Sequence, residues 1–230
     1  MSDIVVTSDR RYRGRPQLRP DGDTRQIIYD AARHELAGNG YSATSIDAVA
    51  RRAGVSTKTV YRLIPNKAAL FEGMVSDRLE RFLADVKLNV NEHADIRDAL
   101  HVALMACAKL TLDNEVIALQ RIVLQEATQF PDIAAAFYDN GMARTAAALA
   151  DWLRVQQARG LIALEDVDEA AGVLIGMVAS APQCAAIFGG LPTPSDGEIE
   201  TRVRRCTALF LRGCQVGAQV PDRDAPLIKE

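Results

Sequence analysis

The chain has 230 residues, 48% of them hydrophobic and only 5% aromatic. That length can bury a sizeable core in one large or two modest domains, and an alanine-rich, aromatic-poor balance favours an all-helical protein over a sheet protein. The net charge of −3 conceals a split: residues 1–67 carry 12 Lys/Arg against 7 Asp/Glu, whereas residues 68–230 carry 15 against 23. A basic head on an acidic body suits polyanion binding through the head alone.

Residues 1–23 lack apolar periodicity and carry Arg10, Arg11, Arg13, Arg15 and Arg19 among Gly14, Pro16 and Pro20, the composition of a flexible basic arm. The run Arg13-Gly14-Arg15-Pro16 is similar to the core of an AT-hook. Such an arm either lies in a minor groove beside a DNA-reading unit or remains a solvated tail that attracts phosphate without selectivity, and both readings stand at this point. The arm has none of the charged start and apolar core of a secretion signal, so a cytoplasmic location is expected.

From Thr24 to about Ala37 the residues Ile27, Ile28, Ala31, Ala32 and Leu36 recur at helical spacing, and Gly38 to Gly40 should end that helix. Ile46, Val49, Ala50 and Ala53, at i, i+3, i+4 and i+7, define a short second helix, with Thr44 as its cap and Asp47 in the role of capping-box acid. Gly54 can turn the chain in a left-handed conformation. Ser56 then caps a third helix buried through Val60 and Ile64, which leaves Thr57, Lys58, Thr59, Tyr61 and Arg62 for other faces until Pro65 closes it. Two short helices joined by a glycine turn fit a helix-turn-helix whose second member enters a DNA major groove, and equally an ordinary helical hairpin with polar residues in water.

The longer stretch Thr24 to Met74 separates these readings. It resembles the N-terminal domain of the TetR family of transcriptional repressors, through the Gly40-Tyr41 corner, Thr44-Ser45-Ile46, Ala53-Gly54-Val55-Ser56, Thr59-Val60-Tyr61, and Asn66-Lys67 followed by Leu70-Phe71. The resemblance implies phosphate contacts by Tyr61 and Lys67. Lys58 stands where the family often has glycine, so base preference does not carry over.

Asn66 caps a long helix from Lys67 to about Leu88, apolar along Leu70, Phe71, Met74, Val75, Leu79, Phe82, Leu83 and Val86, and long enough to leave one domain and enter the next. Further helices are expected over Asp95–Leu112, Asn114–Gln129, Pro131–Arg159 with Gly141 as a candidate break, Val167–Phe188 and Ser195–Val216. Glu115 to Gly141 resembles the ligand domain of AefR-like members of the same family. The uncharged stretch Ala170 to Gly190 approaches a membrane span in length, but Pro182, Gln183 and its small residues argue against one. Gly172, Gly176 and Ser180, four apart, give instead a face that another helix can approach closely. The resemblance places the last two long helices in a homodimer interface.

Chemistry is sparse. His34, His93 and His101 form no catalytic or zinc pattern, the cysteines Cys107, Cys184, Cys206 and Cys214 contain no CxxC pair and read as reduced core residues, and no phosphate-binding glycine loop occurs. No enzyme, metal or cofactor is therefore expected.

The resulting expectation is an all-α protein of about nine or ten helices: a flexible basic arm (1–23), a three-helix helix-turn-helix DNA-binding domain (24–70), a ligand-binding and dimerisation domain (71–220), and a tail (221–230). The candidate DNA contacts are Arg13, Arg15, Thr44, Ser45, Ser56, Thr57, Lys58, Thr59, Tyr61, Arg62 and Lys67. Candidate ligand contacts are Met105, Cys107, Arg121, Gln125, Glu126, Phe130, Phe137, Trp152 and Met177, each of which also fits plain core packing or surface exposure. The expected function is a homodimeric repressor on a palindromic operator, released by a small hydrophobic or aromatic, flavonoid-like effector and controlling an efflux or detoxification operon. The alternative is an architectural DNA-binding protein with no effector.

Overall fold

A computed structural model describes residues 19–88 and 95–214. Arg13, Arg15, His93, the side chain of Val86 and the 221–230 tail lie outside the described residues. Among the described residues there are ten α-helices and one π-helical segment: α1 (Asp21–Ala43), α2 (Ile46–Ala53), α3 (Thr57–Leu63), α4 (Lys67–Leu88), α5 (Ile96–Thr111), α6 (Asn114–Glu126), α7 (Pro131–Phe137), the π segment (Tyr138–Ala143), α8 (Arg144–Ala158), α9 (Val167–Gly189) and α10 (Asp196–Cys214).

The first helix breaks within the expected Gly38 to Gly40, at Gly40, whose φ of 74° and ψ of 179° are open to glycine alone, before a last turn to Ala43. Two local expectations are corrected. Thr44 does not cap α2. It is buried and its hydroxyl donates back to the Gly40 carbonyl (2.7 Å), while Ser45, one residue before the first helical position, accepts from Ala48 N–H (3.1 Å). Asp47 consequently falls one position short of the capping-box site and instead accepts the Thr57 hydroxyl (2.8 Å), tying α2 to α3. Finally, Gly141 does not interrupt its helix. The chain stays helical from Pro131 to Ala158 by widening into the π segment.

Other local rules hold. Gly54 takes the left-handed conformation (φ 67°) between α2 and α3, Ser56 accepts from Thr59 N–H (3.0 Å), and Ile64 is extended ahead of Pro65. Asn66 accepts from Ala69 N–H (2.8 Å) at the start of α4.

Two apolar clusters organise the packing. The first gathers Ile28, Val49, Val60, Phe71 and Met74 from α1 to α4, and it also takes in Leu119 and Ile122 of α6 and Ile133 and Phe137 of α7. The second joins Leu104 of α5, Leu153 of α8, Leu174 of α9 and Leu211 of α10. Thus α4 belongs to the first cluster through its N-terminal half, and Phe82 near its other end packs on the second.

By length and composition α9 is apolar enough to cross a bilayer, with a mean hydropathy of 1.7. Its backbone is served by protein instead. Pro182 has no N–H, so the carbonyl four residues earlier, Val178 O, loses its helical donor. Arg202 of α10 fills that gap, its Nε donating to Val178 O at 2.7 Å and to Met177 O at 3.0 Å. Gln183 reaches across to Thr111 O (2.9 Å), and Arg121 donates to Ala186 O.

This arrangement sets up a double-mutant cycle. Arg202→Met should lower the unfolding free energy by about 1–3 kcal/mol, the usual penalty for a buried carbonyl left unpaired. In a Pro182→Ala background, where a backbone N–H returns at position 182, the same change should cost measurably less. Urea denaturation of the four proteins checks this, and equal costs in both backgrounds would contradict the assignment.

Candidate functional site

The polar side of α3 projects from the first cluster. Lys58 and Tyr61 are exposed, Tyr61 by 53%. The remaining polar residues there are already engaged: Ser56 and Thr59 share a hydrogen bond between their hydroxyls (2.7 Å), Thr57 holds Asp47, and both Arg62 Nη atoms donate to the Asp21 carboxylate (3.0 and 2.8 Å). The last of these has a partner on α1 that local pattern reading missed. The Arg62 and Asp21 side chains are 50% and 40% exposed, so their pairing is screened by water. Ser45 is spent on its cap, although its residue remains exposed.

Lys67 sits deeper. Its Nζ donates to Ser42 O (3.2 Å) and lies 4.3 Å from the centre of the Tyr41 ring, and partial burial lowers its pKa. Tyr41 packs edge-on to Phe71 and Phe130, and burial pushes its hydroxyl up to about 12. The corner beneath it depends on Glu126, at the C-terminal end of α6. Once Gly40 breaks α1, the N–H groups of Tyr41 and Ser42 need new acceptors, and the Glu126 carboxylate takes both, at 2.6 and 2.7 Å. A Cβ on Gly40 would stand 2.9 Å from one of those carboxylate oxygens.

The second feature is an interhelical cavity of about 350 Å³. Val75, Arg78 and Leu79 of α4 and Val116, Leu119 and Gln120 of α6 form one side, and Leu110 and Thr111 of α5 lie beside them. Phe137, the π segment with Tyr138, Gly141 and Met142, and Thr145 of α8 form another. Gly172, Ile175, Gly176, Ala179, Ser180 and Gln183 of α9 complete it. The row of small residues on α9 thus faces the cavity. The extra residue per turn of the π segment widens the wall where the cavity opens beside it.

Of the nine candidate ligand residues, Phe137 alone lines this cavity. Glu126 and Phe130 belong to the Tyr41 corner, Arg121 holds Ala186 O, and Gln125 is exposed. Met105, Cys107 and Trp152 pack in or against the second cluster, where burial pushes the Cys107 thiol up to about 12. Met177 lies in a groove between α9 and α10, with Arg202 and Cys206. The sequence reading passed over Arg78 and Gln120, for which a signal existed. Val75, Arg78, Leu79 and Phe82, like Val116, Leu119, Gln120 and Val123, follow i, i+3, i+4, i+7, so each polar residue occupies an inward position of an apolar stripe. Arg78 Nε and Gln120 Oε1 are buried and have no hydrogen-bond partner. Such an orphaned group typically costs about 1–3 kcal/mol.

Among the described residues, no cluster of three His, Cys, Asp or Glu side chains is arranged to hold a metal ion. Comparison with known proteins agrees with a DNA-reading head joined to a helical body. Residues 28–74 match the model of bacterial regulatory proteins of the tetR family, and residues 98–214 match that of the AefR-like transcriptional repressor C-terminal domain. The HTH-type transcriptional regulator YvkB of Bacillus subtilis is 27% identical over 157 residues, 67% of this chain and 79% of that protein. A crystal structure described as a TetR-family transcriptional regulator from Mesorhizobium loti MAFF303099 superposes with a TM-score of 0.74 at 27% identity, over 86% of this chain and all of the other. The flavonoid-responsive regulator FrrA superposes at 0.66 with 28% identity, over the same shares. Two family models that together span the reading head and most of the helical body, on a fold shared with solved members, place this chain in the TetR family of transcriptional regulators, DNA-binding proteins and not enzymes, with an AefR-like C-terminal domain.

Proposed function

We propose that the chain is a cytoplasmic, effector-responsive repressor that binds a palindromic operator as a homodimer. The observation that carries this reading is a cavity walled by α4 and α6, the two helices that also hold the corner of the DNA-reading head. Lys67 in the first turn of α4 donates to Ser42 O, and Glu126 at the end of α6 accepts from Tyr41 and Ser42 N–H.

In this mechanism residues 24–70 read DNA and residues 71–220 bind the effector and the second subunit. Helix α3 enters the major groove, with Lys58 and Thr57 toward base edges or phosphates. Arg62 reaches phosphate by releasing Asp21, and Ser45, Thr59, Tyr61 and Lys67 position the helix on the backbone. Arg13 and Arg15 of the arm extend contact to the flanking minor groove. The two recognition helices of a dimer must stand about 34–36 Å apart to read successive faces of one duplex. An effector that fits the cavity better in the non-binding arrangement shifts α4 and α6, and with them the Tyr41 corner. A differential affinity of about 1–3 kcal/mol is enough to change operator occupancy.

The cavity wall, rich in apolar side chains and including Phe137, suits a small hydrophobic or aromatic effector. Similarity to a regulator named for flavonoid response supports a flavonoid-like molecule, and the operon under control would then be one for efflux or detoxification. The partner subunit is assigned to α9 and α10, where Val173, Phe188 and Leu209 are 51%, 75% and 60% exposed.

Selection of bound DNA fragments, repeated with a panel of aromatic compounds, tests the whole reading. A single palindromic fragment released by one class of compound is expected, and fragments bound without preference or release would refute it. Lys58→Ala should weaken operator binding by about 1–3 kcal/mol and relax preference at one base pair, measured by fluorescence anisotropy on single-base operator variants. Glu126→Gln, which halves the acceptor capacity at the corner, should reduce the effector-induced loss of operator affinity more than it changes effector affinity itself. Light scattering should give twice the 25.0 kDa chain mass, and Leu209→Asp should return the single-chain value.

A further inference from the structure

Given that the cavity is the effector site, its wall also carries a statement about the effector's polar chemistry. Most polar side chains in the wall are already committed within the protein. Thr111 donates to Cys107 O (2.7 Å), Thr145 to Gly141 O (2.8 Å), and Gln183 Nε2 to Thr111 O (2.9 Å). Tyr138 and Ser180 are exposed to solvent. Arg78 and Gln120 are different. Each contributes a buried atom with no partner, a donor on Arg78 Nε and an acceptor on Gln120 Oε1, and these two side chains come from two different helices, α4 and α6, on the same side of the cavity.

Charge decides which group answers them. Arg78 is the sole charged residue lining the cavity among the described residues, and its Nη2 already lies 2.9 Å from the Asp113 carboxylate. A carboxylate effector would therefore approach a cation that is already neutralised, and would meet the Asp113 charge beside it. It would also leave Gln120 Oε1 facing a second acceptor. A neutral hydroxyl matches both atoms in kind: it can accept from Arg78 Nε–H through a lone pair and donate its own proton to Gln120 Oε1.

We propose that the effector is a neutral hydroxylated aromatic whose hydroxyl bridges Arg78 and Gln120, and that these two residues select it over both its unhydroxylated parent and apolar carboxylic acids. Its rings lie against Val75, Leu79 and Phe137. The bridge also gives the effector a polar grip on α4 and α6 together, the pair of helices that hold the Tyr41 corner.

The test is calorimetric titration of the full chain with a monohydroxyflavone, with flavone itself and with palmitate, at a pH where the phenol is un-ionised. The hydroxyflavone should bind at least tenfold more tightly than flavone and than palmitate. Gln120→Leu should remove the tenfold preference for the hydroxyl, read as the ratio of hydroxyflavone to flavone affinity in the same variant. Its melting temperature should be unchanged or higher, because an unpaired buried acceptor has been replaced by apolar surface. Equal affinity for flavone and hydroxyflavone, tighter binding of palmitate, or a hydroxyl preference that survives in Gln120→Leu overturns this inference while the cavity remains the effector site. No heat from any of the three, in protein that still selects its DNA fragment, overturns the cavity reading itself.

Discussion

The arrangement of the molecule depends on one carboxylate meeting two backbone N–H groups. Gly40 ends the regular part of α1 in a conformation that a side-chain-bearing residue rarely adopts, and Tyr41 and Ser42 are left as donors without helical acceptors. Glu126 supplies both acceptors from a helix 84 and 85 residues further along the chain. Glycine is needed there twice, for its backbone angles and because a Cβ would crowd the incoming carboxylate. The DNA-reading unit therefore does not hang freely from α4. It is seated on α6, with Tyr41 wedged between Phe71 and Phe130 and Lys67 over its ring.

That seating explains how two functions share one body. Helices α4 and α6 each have one end at the corner and an inward stripe at the cavity, and in the proposed mechanism they would carry a displacement at the cavity wall to the residues just ahead of α2. The apolar stripes provide packing. The polar interruptions, Arg78 and Gln120, leave a buried donor and a buried acceptor without partners, which is where the proposed effector would make its hydrogen bonds.

The C-terminal pair shows the same economy. Pro182 inside α9 removes a donor, and Arg202 from α10 replaces it, so a helix apolar enough for a bilayer is pinned by a guanidinium that a bilayer would not tolerate cheaply. The exposed apolar residues of α9 and α10 lie on the surface these contacts hold together.

Much of this was legible in the sequence, because helix periodicity and end signals are local. Gly54, Ser56, Asn66 and Pro65 act within three or four residues, and each behaves as its neighbours dictate. Where local reading slipped, adjacent residues offered the same chemistry: Thr44 and Ser45 are both good caps, and only the register of α2 against the Gly40 break decides between them. The family was readable for the same reason, since its motif is a run of such local signals. The cavity was not, because apolar wall and apolar core use the same residues and differ only in whether the facing helix closes the gap. So Phe137 lines the space while Met105, Cys107 and Trp152 fill the second cluster. Glu126 was a candidate ligand contact from its place beside Gln125, and Arg62 a candidate DNA contact. Their partners, Tyr41 and Ser42 in one case and Asp21 in the other, are distant in sequence, and tertiary packing alone brought them within hydrogen-bonding distance.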